Sequence, residues 1–218
     1  MRTTDKYIDI AEWKRALVDT VKDHVHGTSH DFGHLERVCR MVEVIVAEEG
    51  GDLEVLIAAA FLHDTGRKDE ADTGIDHAET GAQWAEKALA NLGFPPEKIP
   101  GVVGCIRAHR FRGKDAPQSL EEKILFDADK LDAMGAIGVA RAYAHAGANN
   151  QQLFLEPSGH SVHYDPHESY SPVIEYELKL RNLKDRLYTE TGRRIARKRH
   201  EYMDDFFNRL RQEVRGFD

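Results

Sequence analysis

The chain has 218 residues, of which 41% are hydrophobic and 31% charged, and its formal net charge at pH 7 is −8. This length suits a single domain with a sizeable core, and the composition is that of a globular protein rather than a disordered one. The net negative charge argues against a broad basic surface for nucleic acid, so we expect no nucleic-acid partner.

Several features of the sequence favour a cytoplasmic protein. The N-terminal residues carry charges throughout, without the apolar run of a signal peptide, and no segment approaches the roughly 20 apolar residues of a membrane span. Cys39 and Cys105 lie within apolar stretches, so we interpret them as small buried side chains in a reducing compartment. We therefore predict a cytoplasmic location and no membrane partner.

Helical periodicity dominates the pattern of apolar residues. These residues recur at helical spacing almost throughout the chain, and no convincing alternating strand is present, so we predict an all-α protein. The first predicted helix contains Trp13. The second begins near Ser29 or Asp31, both favourable capping residues, and ends at the Gly50-Gly51 pair.

The third predicted helix, DLEVLIAAAFLHD, is nearly all apolar, which places it at the centre of the core. Asp52 caps its start, and Gly66 ends it just after the His63-Asp64 pair. Polar residues at the end of a buried helix require a specific partner. Further helices are predicted at about residues 76–91, 96–109, 120–147, 172–188 and 191–215.

Residues 148–171 lack periodicity and contain three histidines, His160, His163 and His167. Loops of this length are often functional, and a flexible loop supports metal ligands poorly. We therefore interpret the segment as a mobile cover over a pocket rather than as a metal site completed by Asp165.

Histidines and acids at three places carry the predicted chemistry. His34 lies near the start of the second helix, the His63-Asp64 pair ends the third, and the stretch LFDADKLDAMG adds acids to an otherwise apolar helix. A carboxylate in such surroundings is costly unless it is paired or bound to a cation. Imidazole and carboxylate together suit Mn, Fe, Co, Ni, Zn or Mg, and an open site for such an ion activates water at neutral pH.

The separated pattern of His, then His-Asp, then Asp resembles the signature of the HD superfamily of metal-dependent phosphohydrolases. The stretches SHDFGHLERV, AAAFLHDTGR, ILFDADKLDAMGAIGVAR and KLRNLKDRLYTETGRRIARKRHEYM look like the bacterial stand-alone branch that includes a nucleoside triphosphate pyrophosphohydrolase. The resemblance implies an HD-domain helical bundle with a metal site among its central helices. Residues 1–218 would form a single HD domain with an N-terminal helix and a C-terminal helical extension.

The resemblance also implies a ligand set for one divalent metal ion. Its members are His34, His63, Asp64 and Asp129, and Asp127 is the nearest competitor for the last position. Asp64 or Asp127 would in addition assist proton transfer.

Further residues are implied to contact the substrate. Lys130 follows the distal ligand and Arg37 lies one turn beyond His34, so both would bind phosphate. His77 and His109 occupy places where HD proteins with two metals carry additional ligands. We prefer a single-metal site, in which these two histidines act as phosphate donors or proton-transfer groups.

Other polar residues are interpreted as structural. His24, His26 and His30 are expected to have no catalytic role, and Asp132 is expected to cap or pair locally rather than bind metal. Asp127 is balanced between support of a ligand and pure structure. The chain has no GxSxG elbow, Walker phosphate loop or GxGxxG fingerprint, which argues against those enzyme classes.

The sequence thus predicts hydrolysis of a phosphoester or phosphoanhydride bond in a phosphorylated small molecule. A nucleotide is the leading substrate class because the resembled branch includes a nucleotide pyrophosphohydrolase. Two alternatives stay open: a nucleotide-binding HD-fold regulatory protein with little turnover, and oxidative chemistry at a di-iron site, which requires two metal ions. The sequence also leaves open whether the protein is a monomer or a homodimer.

Overall fold

The computed structural model describes residues 10–22, 24, 31–110, 116–157 and 170–217. Within these ranges the regular structure consists of ten α-helices and one 3-10 helix, with no strand, which confirms the all-α prediction. In chain order these are α1 (Ile10–Val21), α2 (Phe32–Glu49), α3 (Leu53–Leu62), α4 (Arg67–Thr73), α5 (His77–Leu92), α6 (Ile99–Ala108), α7 (Leu120–Asp132), α8 (Gly135–Ala148), α9 (Pro172–Leu178), the 3-10 helix (Leu180–Asp185) and α10 (Glu190–Val214). Outside the described residues lie Ser29, His26, His30, His160, His163, Asp165 and His167.

Helix α2 begins and ends at the positions that its capping residues had predicted. The carboxylate of Asp31 accepts a hydrogen bond from the backbone N–H of His34 at 2.8 Å, which satisfies one of the free donors of the first turn. Gly50 ends the helix at φ +81°, in the region that favours glycine. The predicted start at Asp31 and end at Gly50 are confirmed, and His34 consequently lies in the first turn of α2.

Helix α3 lies at the centre of the bundle, as its apolar sequence predicted. Every side chain from Val55 to Leu62 is buried, and the helix packs against α1, α2, α6 and α7. Asp52 caps its start by accepting hydrogen bonds from two backbone N–H groups of the first turn, at 3.0 and 3.3 Å. The helix therefore brings the residues after it, His63 and Asp64, into the interior.

Two of the predicted helices were wrong in extent. The predicted helix at 120–147 is two helices, because the chain turns at residues 133–134 and Gly135 adopts φ +70°. Apolar periodicity continues through the turn, since α7 and α8 both bury one face, so the pattern did not reveal the break. The predicted helix at 172–188 ends at Leu178 and is followed by the 3-10 helix, and the short helix α4 was not predicted.

A buried carboxylate joins the C-terminal helix α10 to α7. Asp127 accepts hydrogen bonds from the backbone N–H groups of Tyr188 and Thr189, at 2.9 and 2.7 Å, and from the Thr189 hydroxyl at 2.6 Å. Burial raises the pKa of Asp127, although these donors act in the opposite direction. The anchored helix then packs along α8, α7 and α2. In the part of the chain that the structure describes, no helix combines the length and apolar character needed to cross a membrane.

Candidate metal centre

Three parts of the bundle bring together the four side chains expected to bind metal. His34 comes from the first turn of α2, His63 and Asp64 from the end of α3, and Asp129 from α7. The two imidazoles are fully buried, and the side chains of Asp64 and Asp129 are 7% and 13% exposed. The two Nε2 atoms lie 3.3 Å apart, and each is 3.5–3.9 Å from an oxygen of both carboxylates.

The turn after α3 holds the His63-Asp64 pair against α5. Gly66 packs so closely on that helix that a Cβ atom would overlap the Thr80 hydroxyl and the backbone of α5. A glycine is therefore needed here for close approach. The expectation that Gly66 ends α3 was wrong, because α3 ends at Leu62 and Gly66 is the residue immediately before α4.

The hydrogen bonds of the two imidazoles settle which nitrogen carries the proton. His34 Nδ1 lies 2.8 Å from the carboxylate of Asp132, and His63 Nδ1 lies 2.9 Å from the carbonyl oxygen of Ala60. Both partners only accept hydrogen bonds, so both Nδ1 atoms donate. Burial lowers the pKa of His63 to about 3, so this ring is neutral and its Nε2 presents a lone pair.

This arrangement fits a bound cation. The lone pairs of two Nε2 atoms 3.3 Å apart would repel each other unless a positive charge lay between them. Imidazole Nε2 and carboxylate oxygen are also the donors that divalent transition metals bind. His34, His63 and Asp129 together offer three ligand atoms within 4.8 Å of one another, and Asp64 lies beside them.

Asp129 supplies negative charge to the site. Burial alone would raise its pKa, but the positive charge of Lys130, together with the neighbouring imidazoles, holds the pKa of Asp129 well below its usual range. Lys130 Nζ lies 2.6 Å from Asp129 Oδ2, while Oδ1 faces the imidazole of His34 at 3.5 Å. The Lys130 ammonium also lies 5.0 Å from the centre of the Phe126 ring.

A second group of possible metal ligands, Asp64, His77 and His109, lies next to the group described above, and Asp64 belongs to both. We call these two groups of ligand atoms the first and second donor sets. The Oδ1 atom of Asp64 lies 3.8 Å from His77 Nε2 and 3.7 Å from His109 Nε2, which are themselves 3.2 Å apart. His77 Nδ1 donates to Glu70 at 2.7 Å, and His109 Nδ1 donates to the carbonyl of Ile106 at 2.5 Å. Burial lowers the pKa of His77. In both His77 and His109, therefore, Nδ1 donates a hydrogen bond and Nε2 faces Asp64, as in His34 and His63.

Asp132 binds the Nδ1 atom of His34, the ring nitrogen that does not face the expected metal. Its carboxylate accepts hydrogen bonds from His34 Nδ1, from Arg37 Nε at 2.7 Å and from Arg141 Nη1 at 2.8 Å. Burial alone would raise its pKa, but the hydrogen bonds from His34 and Arg37 lower it. Asp132 pairs across the fold rather than only locally, so the expectation of a purely local role was wrong. Arg37 thus reaches the donor set through Asp132, and its contact with phosphate stays a prediction.

The sequence analysis missed the site roles of three supporting residues: Arg67, Glu70 and Asp132. Glu70 and Asp132 each orient a histidine by accepting from its Nδ1, and only folding brings Asp132 to His34. Arg67 lies next to the paired acid, with its Nε 2.8 Å from Asp64 Oδ1. The available signal was a cation three residues after Asp64 in the stretch AAAFLHDTGR.

A helical bundle whose central helices gather a histidine, a His-Asp pair and a distal aspartate defines the class of HD-domain proteins. The HD domain family matches residues 31–134 of the chain, a span that includes all four expected ligands. The chain belongs to the HD superfamily of hydrolases, as the sequence motifs indicated.

Full-length relatives agree with this assignment. The uncharacterized protein YpgQ of Bacillus subtilis is 33% identical over 218 residues, which span 98% of each chain. A crystal structure of YpgQ in complex with ADP has a TM-score of 0.70 at 29% identity, covering 94% of this chain and 100% of YpgQ. A protein described as a predicted HD superfamily hydrolase, from an uncultured Thermotogales bacterium, has a TM-score of 0.64 at 31% identity, with 94% and 92% coverage.

Proposed function

We propose that the protein is a metal-dependent phosphohydrolase that acts on a phosphorylated small molecule, with nucleotides as the substrate class. The observation that carries the proposal is the pair of buried imidazoles whose Nε2 atoms face each other at 3.3 Å beside two carboxylates. Membership of the HD superfamily supports hydrolysis. The ADP complex of YpgQ supports a nucleotide.

The residues that would hold the metal are His34, His63, Asp64 and Asp129. One divalent ion bound there, Mn, Co, Ni, Fe, Zn or Mg, would lower the pKa of a coordinated water and neutralise charge on a phosphoryl group. The three helices that carry the ligands are packed into the core, so the donor atoms are held in place before substrate arrives.

The remaining residues of the site are proposed to act on protons and on phosphoryl charge. The Asp64 carboxylate would assist proton transfer from the attacking water through Oδ1, which faces His77 and His109, while Oδ2 faces His34 and His63. Lys130, already beside Asp129, holds a phosphoryl oxygen. His77 and His109 face the site with Nε2, where they would accept a proton or, once protonated, donate to the phosphoryl group. Arg37 either contacts phosphate or acts only by orienting Asp132, and substitution of Arg37 distinguishes the two roles by its effect on KM.

The second donor set makes oxidative chemistry at a two-metal site an alternative that can be tested. Oxidative chemistry at a di-iron site would need ions at both sets, whereas the proposed hydrolysis needs one. The other alternative, a nucleotide-binding regulatory protein, predicts binding without turnover. Counting metal ions per chain and measuring product release separate the three. We further propose that residues 1–218 form a single HD unit in the cytoplasm, as a monomer or a homodimer.

The test is release of phosphate and pyrophosphate from nucleoside mono- and triphosphates in the presence of Mn, Co, Ni or Mg. Wild type is compared with Asp129→Ala, and bound metal is measured in both. Asp205→Ala is the matched control, because Asp205 is an exposed acid on α10. Activity and metal that both disappear in Asp129→Ala alone would support the proposal. Activity indifferent to that change, or a wild-type protein that binds no metal, would refute it.

A further inference from the structure

The guanidinium of Arg67 lies at the second donor set. Arg67 is the first residue of α4, and its Nε is 2.8 Å from Asp64 Oδ1. That oxygen is the one that faces His77 and His109, at 3.8 and 3.7 Å. The guanidinium therefore lies on the same carboxylate oxygen as the two imidazoles.

The contact of Arg67 with Asp64 differs from an ordinary surface ion pair. The Asp64 side chain is 7% exposed, and its Oδ1 atom also faces two imidazoles whose Nδ1 atoms both donate hydrogen bonds elsewhere. A guanidinium 2.8 Å from this carboxylate oxygen opposes a second cation because it repels positive charge at close range. The Arg67 side chain is 37% exposed, so solvent screens part of this repulsion.

We propose that Arg67 serves as a built-in second cation, which keeps the second donor set from holding a metal and restricts the chain to one ion. The inference rests on the proposed function, because it concerns the metal count at the same site. In this arrangement His34, His63, Asp64 and Asp129 would hold the ion. Arg67 supplies, from Asp64 Oδ1, the positive charge that a second metal provides in a two-metal site.

The charge of Arg67 is expected to weaken metal binding at the second donor set. The geometry of a metal site is already present, because Asp64, His77 and His109 offer three ligand atoms within 4.8 Å of one another. Loss of the charge is expected to tighten metal binding at that set by roughly 10- to 100-fold, the range by which groups around a metal site change its affinity.

The experiment is a metal count on folded, full-length protein equilibrated with excess Mn²⁺ and freed of unbound metal. Wild type is compared with Arg67→Gln, which keeps hydrogen-bonding groups but removes the charge. Lys68→Gln is the control, because Lys68 is an exposed cation one residue away. We expect one ion per chain in wild type and in Lys68→Gln, and two in Arg67→Gln. The double variant Arg67→Gln/His109→Ala should return to one.

A second readout follows the distance between ions rather than their number. Two Mn²⁺ ions that share Asp64 would give the electron paramagnetic resonance signal of a coupled pair, and we expect that signal only in Arg67→Gln. Arg67→Met gives the same comparison if the Gln variant does not fold, and Arg67→Lys should keep the wild-type count. Two ions in wild type, or one ion in both neutral variants, would overturn the inference while leaving the proposed function standing. A wild-type protein without metal would instead refute the proposed function.

Discussion

Replacing Asp132 with Asn tests how the fold prepares His34 for metal binding. The Asp132 side chain is 4% exposed, and its carboxylate accepts hydrogen bonds from His34, Arg37 and Arg141 at 2.7–2.8 Å. An asparagine has a single accepting oxygen and an NH₂ group that only donates, so it cannot serve all three donors. Where the NH₂ group faces His34, the imidazole must carry its proton on Nε2, and that nitrogen can no longer bind metal.

Two effects of different size follow from Asp132→Asn. Loss of the partner that orients a metal-binding histidine typically weakens metal affinity roughly 10- to 100-fold, which is about 1.4–2.7 kcal/mol. The substitution also leaves Arg37 and Arg141 without the carboxylate. Breaking a fully buried ion pair costs about 3–5 kcal/mol. Because the Arg37 side chain is 28% exposed, water offsets part of that cost, and we expect about 1–3 kcal/mol of lost stability.

The two effects are measured separately. Isothermal titration with Mn²⁺ gives the affinity, and denaturant unfolding in the presence of chelator gives the free energy of unfolding without metal. Asp205→Asn, at an exposed position of α10, controls for the loss of one negative charge. Metal affinity equal to wild type in a folded Asp132→Asn protein would show that the hydrogen bond to His34 Nδ1 does not prepare the site, and the reasoning would fail.

Three further substitutions or treatments have defined outcomes. In Gly66→Ala, the added Cβ would overlap the Thr80 hydroxyl and the backbone of α5, so the unfolding free energy should fall by about 1–3 kcal/mol and Mn²⁺ affinity should fall with it; unchanged values would contradict the close packing. In Asp127→Ala, the backbone N–H groups of Tyr188 and Thr189 and the Thr189 hydroxyl lose their acceptor. The free energy of unfolding measured in urea should therefore fall by at least about 2 kcal/mol, whereas the folded fraction should bind Mn²⁺ normally. Removing metal with a chelator should lower the melting temperature, because the facing imidazoles and carboxylates lose the cation, and added Mn²⁺ should restore it; a melting temperature insensitive to both would count against a metal at this site.

Much of the fold could be predicted because its determinants act locally. Asp31 and Asp52 cap helices by bonding to N–H groups two or three residues away, and Gly50 ends α2 through its own backbone conformation. The apolar run of α3 predicted a central helix, and the structure buries it. The order of His34 and the His63-Asp64 pair along the chain resembled the HD pattern, and the family match confirms that resemblance.

The choice between Asp127 and Asp129 shows where local information ends. Both acids lie in the same DAD stretch of α7, and side chains two residues apart point about 200° apart around a helix. Their directions therefore differ, but only the packing of α7 between α2, α3 and α10 decides which acid faces the imidazoles. In the structure Asp129 lies beside His34 and His63, while Asp127 bonds to the start of α10.

The sequence by itself determined the helical class, most helix ends and the residue types of the site. Only the tertiary structure decided that Asp132 orients His34 across 98 residues, that α7 and α8 separate at Gly135, and that a second set with Arg67 adjoins Asp64. The physical reason is the range of the interactions. Caps and helical periodicity act within one or two turns, whereas the partner of a buried charge is set by which helices meet in the folded core.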